Sequence, residues 1–88
     1  MQNPFPPLLD TQVALIRAEY NTGIVVDKFY ARAMGDNQQV YTVYSSTDEA
    51  LRAAIDIVQS HPHIECCIQR VGEELIHYVH QNNVHDFL

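Results

Sequence analysis

Basic residues are scarce in this chain, and their scarcity argues against several kinds of partner. Eleven acids stand against five lysines and arginines, which gives a formal charge of −6. The five bases lie singly along the sequence, at Arg17, Lys28, Arg32, Arg52 and Arg70. Phosphate backbones and anionic membrane surfaces are both bound by clustered cations. We therefore expect neither nucleic acid nor a membrane surface as a partner.

Glycine and cysteine are also rare. The three glycines fall in predicted turns, so the chain has no glycine-rich loop to cradle a phosphate group. The two cysteines, Cys66 and Cys67, are adjacent, and neighbours on a strand cannot easily bond to each other. No apolar run approaches membrane-spanning length, and the first residues do not resemble a signal peptide. We expect a protein of the reducing cytoplasm.

Apolar residues, by contrast, are abundant. Hydrophobic residues make up 47% of the 88 residues and charged residues only 18%, a composition typical of a folded domain. We predict a proline-rich extended arm over residues 1–9, a single α+β domain over 10–80 and a C-terminal tail over 81–88. The arm is interpreted as a loosely held tail, with a docked or exchanged arm as the alternative. The apolar supply is generous for so small a body, so part of it could lie at an interface.

One helix is predicted in the middle of the chain. Ser46 and Glu49 form a capping box at the end of a β-rich run, which predicts a helix from Thr47 to about Ser60. Apolar residues then recur at helical spacing and form one stripe. Pro62 prevents the helix from continuing.

The remaining segments read as strands, paired around turn residues. The predicted strands cover residues 13–20, 24–33, 38–45, 63–70 and 75–80. The segment 24–33 is ambiguous, because Val26, Phe29, Tyr30 and Ala33 also fit helical spacing. The β-branched and aromatic content favours a strand there.

The last hairpin, around Gly72 and Glu73, has two possible registers. A two-residue turn places Cys66 opposite Val79, whereas a three-residue loop places Cys66 opposite His80. The sequence leaves both registers open.

These elements predict an α+β fold with the order β-β-β-α-β-β. The antiparallel sheet has about five strands, and one long helix packs on one of its faces. A helix is roughly 10 Å across, and five strands at about 4.8 Å spacing span about twice that width. Part of an apolar sheet therefore stays uncovered, and a homodimer is the expected solution. The residues predicted to form the interface are Ile24, Val26, Tyr30, Tyr41, Tyr44, Ile76 and Tyr78.

Chemistry is suggested only by thiols close to imidazoles. Either register brings a cysteine near His80, so Cys66, Cys67 and His80 are weak candidates for a metal or small-molecule site. The spacing matches no zinc motif, and the alternative interpretation makes the cysteines small buried hydrophobes. A cysteine nucleophile with Glu65 as the nearest carboxylate lacks an oxyanion hole. We expect no enzyme activity and no cofactor.

Asp27 lies in a segment that is otherwise rich in aromatic and β-branched residues. A carboxylate on a partly buried sheet needs a partner. The sequence predicts an ion pair with Arg17 or Arg32. The function that fits these observations is an accessory or protein-interaction domain.

Overall fold

The computed structural model describes residues 4–35 and 37–88. The regular elements are β1 (Val13–Glu19), β2 (Val25–Val26), β3 (Tyr41–Tyr44), α1 (Thr47–Ser60), β4 (Ile64–Arg70) and β5 (Glu74–Val79). Short 3₁₀ turns cover Val71–Glu73 and Val84–Phe87. The predicted fold is confirmed: an antiparallel sheet of five strands carries one helix, in the order β-β-β-α-β-β.

Strand β1 is the centre of the sheet. One of its edges pairs with β4, and the other edge pairs with β3 along its first half and with β2 along its second half. Strand β5 pairs with the outer edge of β4. The five strands therefore occupy only four positions across the sheet. Four strands at about 4.8 Å spacing are still wider than a helix of about 10 Å.

Helix α1 begins as the sequence predicts. The Ser46 hydroxyl accepts a hydrogen bond from the Glu49 backbone N–H at 3.2 Å, which satisfies one of the free N–H groups of the first turn. Ala50, Ala54 and Val58 are buried on its inner face. Their small side chains let the helix lie close against the sheet. The core lies in this layer, with Val13, Leu15, Val26, Ile64, Cys66, Ile68 and Val79 as its sheet members.

The predicted strand over 24–33 is wrong beyond Val26, and the helical alternative does not form either. Only Val25 and Val26 are strand residues. Asp27 then turns the chain, because its side chain accepts hydrogen bonds from the N–H groups of Phe29 and Ala31. A carboxylate that binds its own neighbouring backbone in this way competes with ladder hydrogen bonds.

Away from its turn, the last hairpin has the register that a two-residue turn predicts. Cys66 lies opposite Val79. A bulge then shifts the pairing so that Arg70 lies opposite Glu74, and three residues, Val71–Glu73, make the connection. The bulge reconciles the two registers that the sequence left open.

Both ends of the described chain contact the domain. Residues 4–9 have no regular structure, but the Phe5 ring packs edge-on against Tyr41 with centroids 5.4 Å apart. Residues 1–3 of the predicted arm lie outside the described residues. In the tail, Val84 is buried and belongs to the core, and Phe87 packs against it.

The one α-helix in the described residues is too short and too polar to cross a lipid bilayer.

Candidate functional site

The sheet has one face that the helix does not cover. Side chains alternate along a strand, so the residues next to Leu15 on β1 point away from α1. The same alternation, carried through the strand pairing, assigns a face to each residue of the sheet. We call this surface the open face, and it consists of Ala14, Ile16, Ala18, Val25, Tyr41, Val43, Glu65, Cys67, Gln69, Leu75 and Tyr78.

An apolar row crosses the middle of the open face. The pairing places Tyr41 beside Ile16, Ile16 beside Cys67, and Cys67 beside Tyr78. Each of these four side chains is half-buried or exposed. The row thus runs from β3 to β5 without a charge.

The flanking row toward the hairpin turn is also largely apolar. Val43 lies beside Ala14, Ala14 beside Gln69, and Gln69 beside Leu75. The exposed fractions of Val43 and Leu75 are 42% and 55%. Side chains of this size that stay half in water add to the apolar area that another molecule could cover.

Glu65 is the one charged side chain among the residues that define the open face. Tyr78 donates a hydrogen bond from its hydroxyl to Glu65 Oε1 at 2.5 Å. The bond stabilises the protonated phenol, and it is the main cause that raises the pKa of Tyr78 to about 12. The Glu65 carboxylate is therefore hydrogen-bonded to another residue of the open face.

An aromatic cluster closes one corner of the open face. The His80 ring stacks on Tyr20 with centroids 5.1 Å apart and lies 4.7 Å from the ring of Tyr78. The Asn82 backbone N–H donates to His80 Nδ1, and the Asn82 side chain donates to the Tyr20 hydroxyl. These contacts fix the imidazole between two tyrosines.

The proposed metal ligands do not converge. Cys66 points toward the helix and is fully buried, and burial raises the pKa of its thiol to about 12. Cys67 points to the open face, where burial also raises its pKa. The two thiols lie on opposite sides of the sheet, so they cannot share an ion with His80. In residues 4–35 and 37–88, no three His, Cys, Asp or Glu side chains are placed to hold a metal.

The residues predicted to form the interface fall into two groups. Tyr41 and Tyr78 lie on the open face, and Ile24 is 38% exposed in the turn before β2. The other four lie elsewhere: Val26 is fully buried in the core, and Tyr30, Tyr44 and Ile76 pack against that core.

The sequence reasoning missed Ile16, Val43, Cys67 and Leu75 as members of the exposed surface. The local pattern of β1 is misleading, because the side that faces the helix carries Arg17 and Glu19, whereas Ala14, Ile16 and Ala18 on the other side are all apolar.

The ion pair predicted for Asp27 is not present. Asp27 accepts hydrogen bonds from Phe29, Ala31 and Gln38, and these bonds lower the pKa of its carboxyl, with the Gln38 bond the largest cause. Arg32 instead binds Glu19 through two nitrogens, each at 3.0 Å.

Arg17, the other predicted partner of Asp27, is buried on the helix side of β1, where it pairs with Val26 of β2. Its side chain donates to the Thr42 hydroxyl at 2.5 Å, while Nη1 has no hydrogen-bond partner among the described residues.

Comparisons with known proteins give no relative: no family model, no curated protein and no solved structure matches this chain.

Proposed function

We propose that this chain is a non-enzymatic interaction protein that acts as a homodimer, with two copies packed open face to open face. The observation that carries the proposal is the uncharged row of Tyr41, Ile16, Cys67 and Tyr78 on the side of the sheet that points away from α1, where Phe5 packs against Tyr41 at one edge. Burial of such a surface is favourable at roughly 25 cal/mol per Å² of apolar area.

Charge opposes a second copy less at this surface than over the rest of the molecule. The chain has a formal charge of −6, so two copies repel each other over most of their surfaces. Glu65 is the one carboxylate among the open-face residues, and it is bound by the hydroxyl of Tyr78. Two open faces therefore meet with few like charges opposed.

The dimensions of the molecule also suit a face-to-face dimer. The domain measures 33 × 29 × 17 Å, which is a slab of two layers, one sheet and one helix. A standard interface buries about 800 Å² per partner. The broad side of this slab is large enough to supply that area, and two facing sheets pack about 10 Å apart.

A two-fold dimer has a centre, and the strand pairing indicates where it lies. Ile16 and Cys67 are paired near the middle of the β1 and β4 ladder. In an isologous interface, the residues at the centre of the patch contact their own copies. We therefore infer that Ile16 and Cys67 lie close to the two-fold axis.

The state of the thiols argues against a cysteine nucleophile and fits a reducing compartment. Both cysteines are free, and burial raises the pKa of each thiol. A cysteine nucleophile requires the opposite shift, because the thiolate is the reactive form. Free thiols also fit the cytoplasm, which is the location we propose.

Sedimentation equilibrium of the full chain at micromolar concentrations tests the proposal. The monomer mass is 10.1 kDa, and we expect a species of twice that mass that dissociates on dilution. A single species of 10.1 kDa throughout that range would remove the proposal.

A further inference from the structure

The segment between β2 and β3 holds large apolar side chains in water. We call residues 27–35 the Phe29 loop. The exposed fractions of Phe29 and Met34 are 76% and 88%. Single exposed apolar residues are ordinary on protein surfaces. The unusual feature here is how firmly the loop that carries them is built.

Asp27 organises the first half of the loop from inside. It is only 6% exposed, and its Oδ1 accepts the N–H groups of Phe29 and Ala31 at 2.8 and 3.1 Å. The backbone closes the same turn, because Asp27 N–H donates to the Ala31 carbonyl and Tyr30 N–H donates to the Asp27 carbonyl. The backbone on both sides of Phe29 is thus fixed.

Gln38 fixes the second half. Its Nε2 donates to Asp27 Oδ2 and to the Arg32 carbonyl, at 2.9 and 2.8 Å. Its Oε1 accepts the N–H groups of Met34 and Gly35. One amide side chain therefore joins both ends of the loop.

Tyr30 anchors the loop to the domain in a strained backbone conformation. Its φ of 66° lies in the left-handed region, which is sterically unfavourable for a bulky residue. The ring stacks on His61 at the end of α1, with centroids 4.1 Å apart. Turning Tyr30 inward leaves its neighbour Phe29 pointing outward.

The exposed charge of the loop is positive, although the chain as a whole is acidic. Within residues 27–35 the charged side chains are Asp27, Lys28 and Arg32. Asp27 is buried in the loop and Arg32 binds Glu19, so Lys28 is left at the tip. Its Nζ lies 5.2 Å from the centre of the Phe29 ring.

We propose that the Phe29 loop inserts Phe29 into an apolar pocket on a different protein, with carboxylates on the rim of that pocket facing Lys28. A rigid loop that presents an aromatic anchor loses little conformational freedom on binding, which is how binding hot spots are built. The positive charge of Lys28 at the loop tip favours a pocket with an acidic rim over a pocket with a basic rim.

A second copy of this chain is the less suitable occupant. Tyr30 anchors the loop at the end of α1, on the side of the sheet opposite the open face, so we expect a dimer formed through the open face to leave Phe29 accessible. Insertion of the loop into some other surface of an identical chain would be a heterologous contact, which extends into open assemblies unless it closes a ring. The inference does not rest on the proposed dimer.

Photo-crosslinking identifies the partner directly. The full chain carrying p-benzoylphenylalanine in place of Phe29 is irradiated in an extract of cells that express the natural chain. Leu88, which is 69% exposed at the C-terminal end, carries the same group in the matched control. We expect one crosslinked protein that depends on position 29.

Binding of the purified partner decides the question. We expect Phe29→Ser and Lys28→Glu each to weaken binding at least tenfold, and Val43→Ser on the open face to leave it unchanged. Asp27→Ala keeps Phe29 but removes the bonds that hold the loop, and it too should weaken binding while circular dichroism still reports a folded domain.

Three results would overturn the proposal. The first is crosslinking at position 29 no stronger than at position 88. The second is a crosslinked product that is a second copy of this chain. The third is a purified partner whose affinity is insensitive to Phe29→Ser and Lys28→Glu.

Discussion

The open face and the Phe29 loop expose apolar side chains for different structural reasons. The open face results from regular alternation, since the apolar residues Ala14, Ile16 and Ala18 lie on the side of β1 that points away from the helix. The Phe29 loop has no such periodicity, and it keeps its shape through Asp27 and Gln38, which bind the backbone around Phe29 and Met34. The first surface is broad and carries one carboxylate among the residues that define it, and we propose an identical chain as its partner. The second is narrow and positive, which suits a shaped pocket.

Placing carboxylates on the open face should have the largest effect on dimerisation. Leu75→Glu together with Val43→Glu places four new carboxylates in a two-fold interface, two from each copy. We expect the dimer dissociation constant to rise at least 100-fold, about 3 kcal/mol, because buried unpaired charges are costly. Both side chains are about half exposed in the single domain, so we expect the unfolding temperature of the monomer to fall by only a few degrees.

Met34→Glu on the Phe29 loop is the matched control for that series. Met34 is an exposed apolar residue of comparable size, and its loop is anchored through Tyr30 on the helix side of the sheet. Sedimentation should show an unchanged dimer. Equal weakening of the dimer by the open-face pair and by Met34→Glu would mean that the two surfaces act as one.

Ser46→Ala weakens the scaffold that both surfaces share. It removes the hydroxyl that accepts the Glu49 N–H, and loss of such a cap costs about 1 kcal/mol. For a domain of this size we expect the unfolding temperature to fall by about 4–8 °C. Well below that temperature, dimerisation and loop binding should be unchanged, as sedimentation and titration calorimetry can check. A change in either one would show that the surface depends on the position of α1.

Asp27→Asn affects one surface and has a defined pH dependence. The folded-state pKa of Asp27 is lowered from 3.8, chiefly by the Gln38 hydrogen bond. Its ionised form therefore contributes stability above pH 3.8, and that contribution is lost as the pH falls through the folded-state pKa. Asp27→Asn places an amide against the Gln38 amide and should melt a few degrees below the natural chain at pH 7.

Thermal melts of both proteins between pH 7 and pH 2 check this expectation. The difference in unfolding temperature should shrink as the pH falls below 3.8. A difference that stays constant over the whole range would show that the Asp27 charge does not hold the loop.

Much of the fold could be predicted from the sequence, and the reason is local. The capping box at Ser46 and the proline after the helix mark the two ends of α1. Neither signal depends on distant residues. The turn around Gly72 likewise identified the last hairpin, although the bulge that shifts its register depends on packing and has no local signal.

The surfaces were harder to predict because they depend on contacts between distant segments. Val26 was predicted to be an interface residue. It lies in the core, because it pairs with Arg17, whose side chain points to the helix side of β1. Phe29 and Tyr30 looked like neighbours on a strand. Phe29 is exposed, whereas Tyr30 stacks on His61. The cause is the Asp27 side chain, because its hydrogen bonds form a turn and outweigh the β preference of the segment.

The most direct test of the central claim measures how fast Cys67 reacts with an uncharged maleimide as the natural chain is diluted at constant pH. Cys67 lies at the middle of the open face, and buried Cys66 on the opposite side serves as the internal control, with both followed by peptide mass spectrometry. If two open faces cover each other, the rate at Cys67 rises on dilution of the natural chain, whereas it is independent of concentration in the Leu75→Glu, Val43→Glu variant, and Cys66 stays unreactive in both. A rate at Cys67 of the natural chain that does not change on dilution would contradict the account.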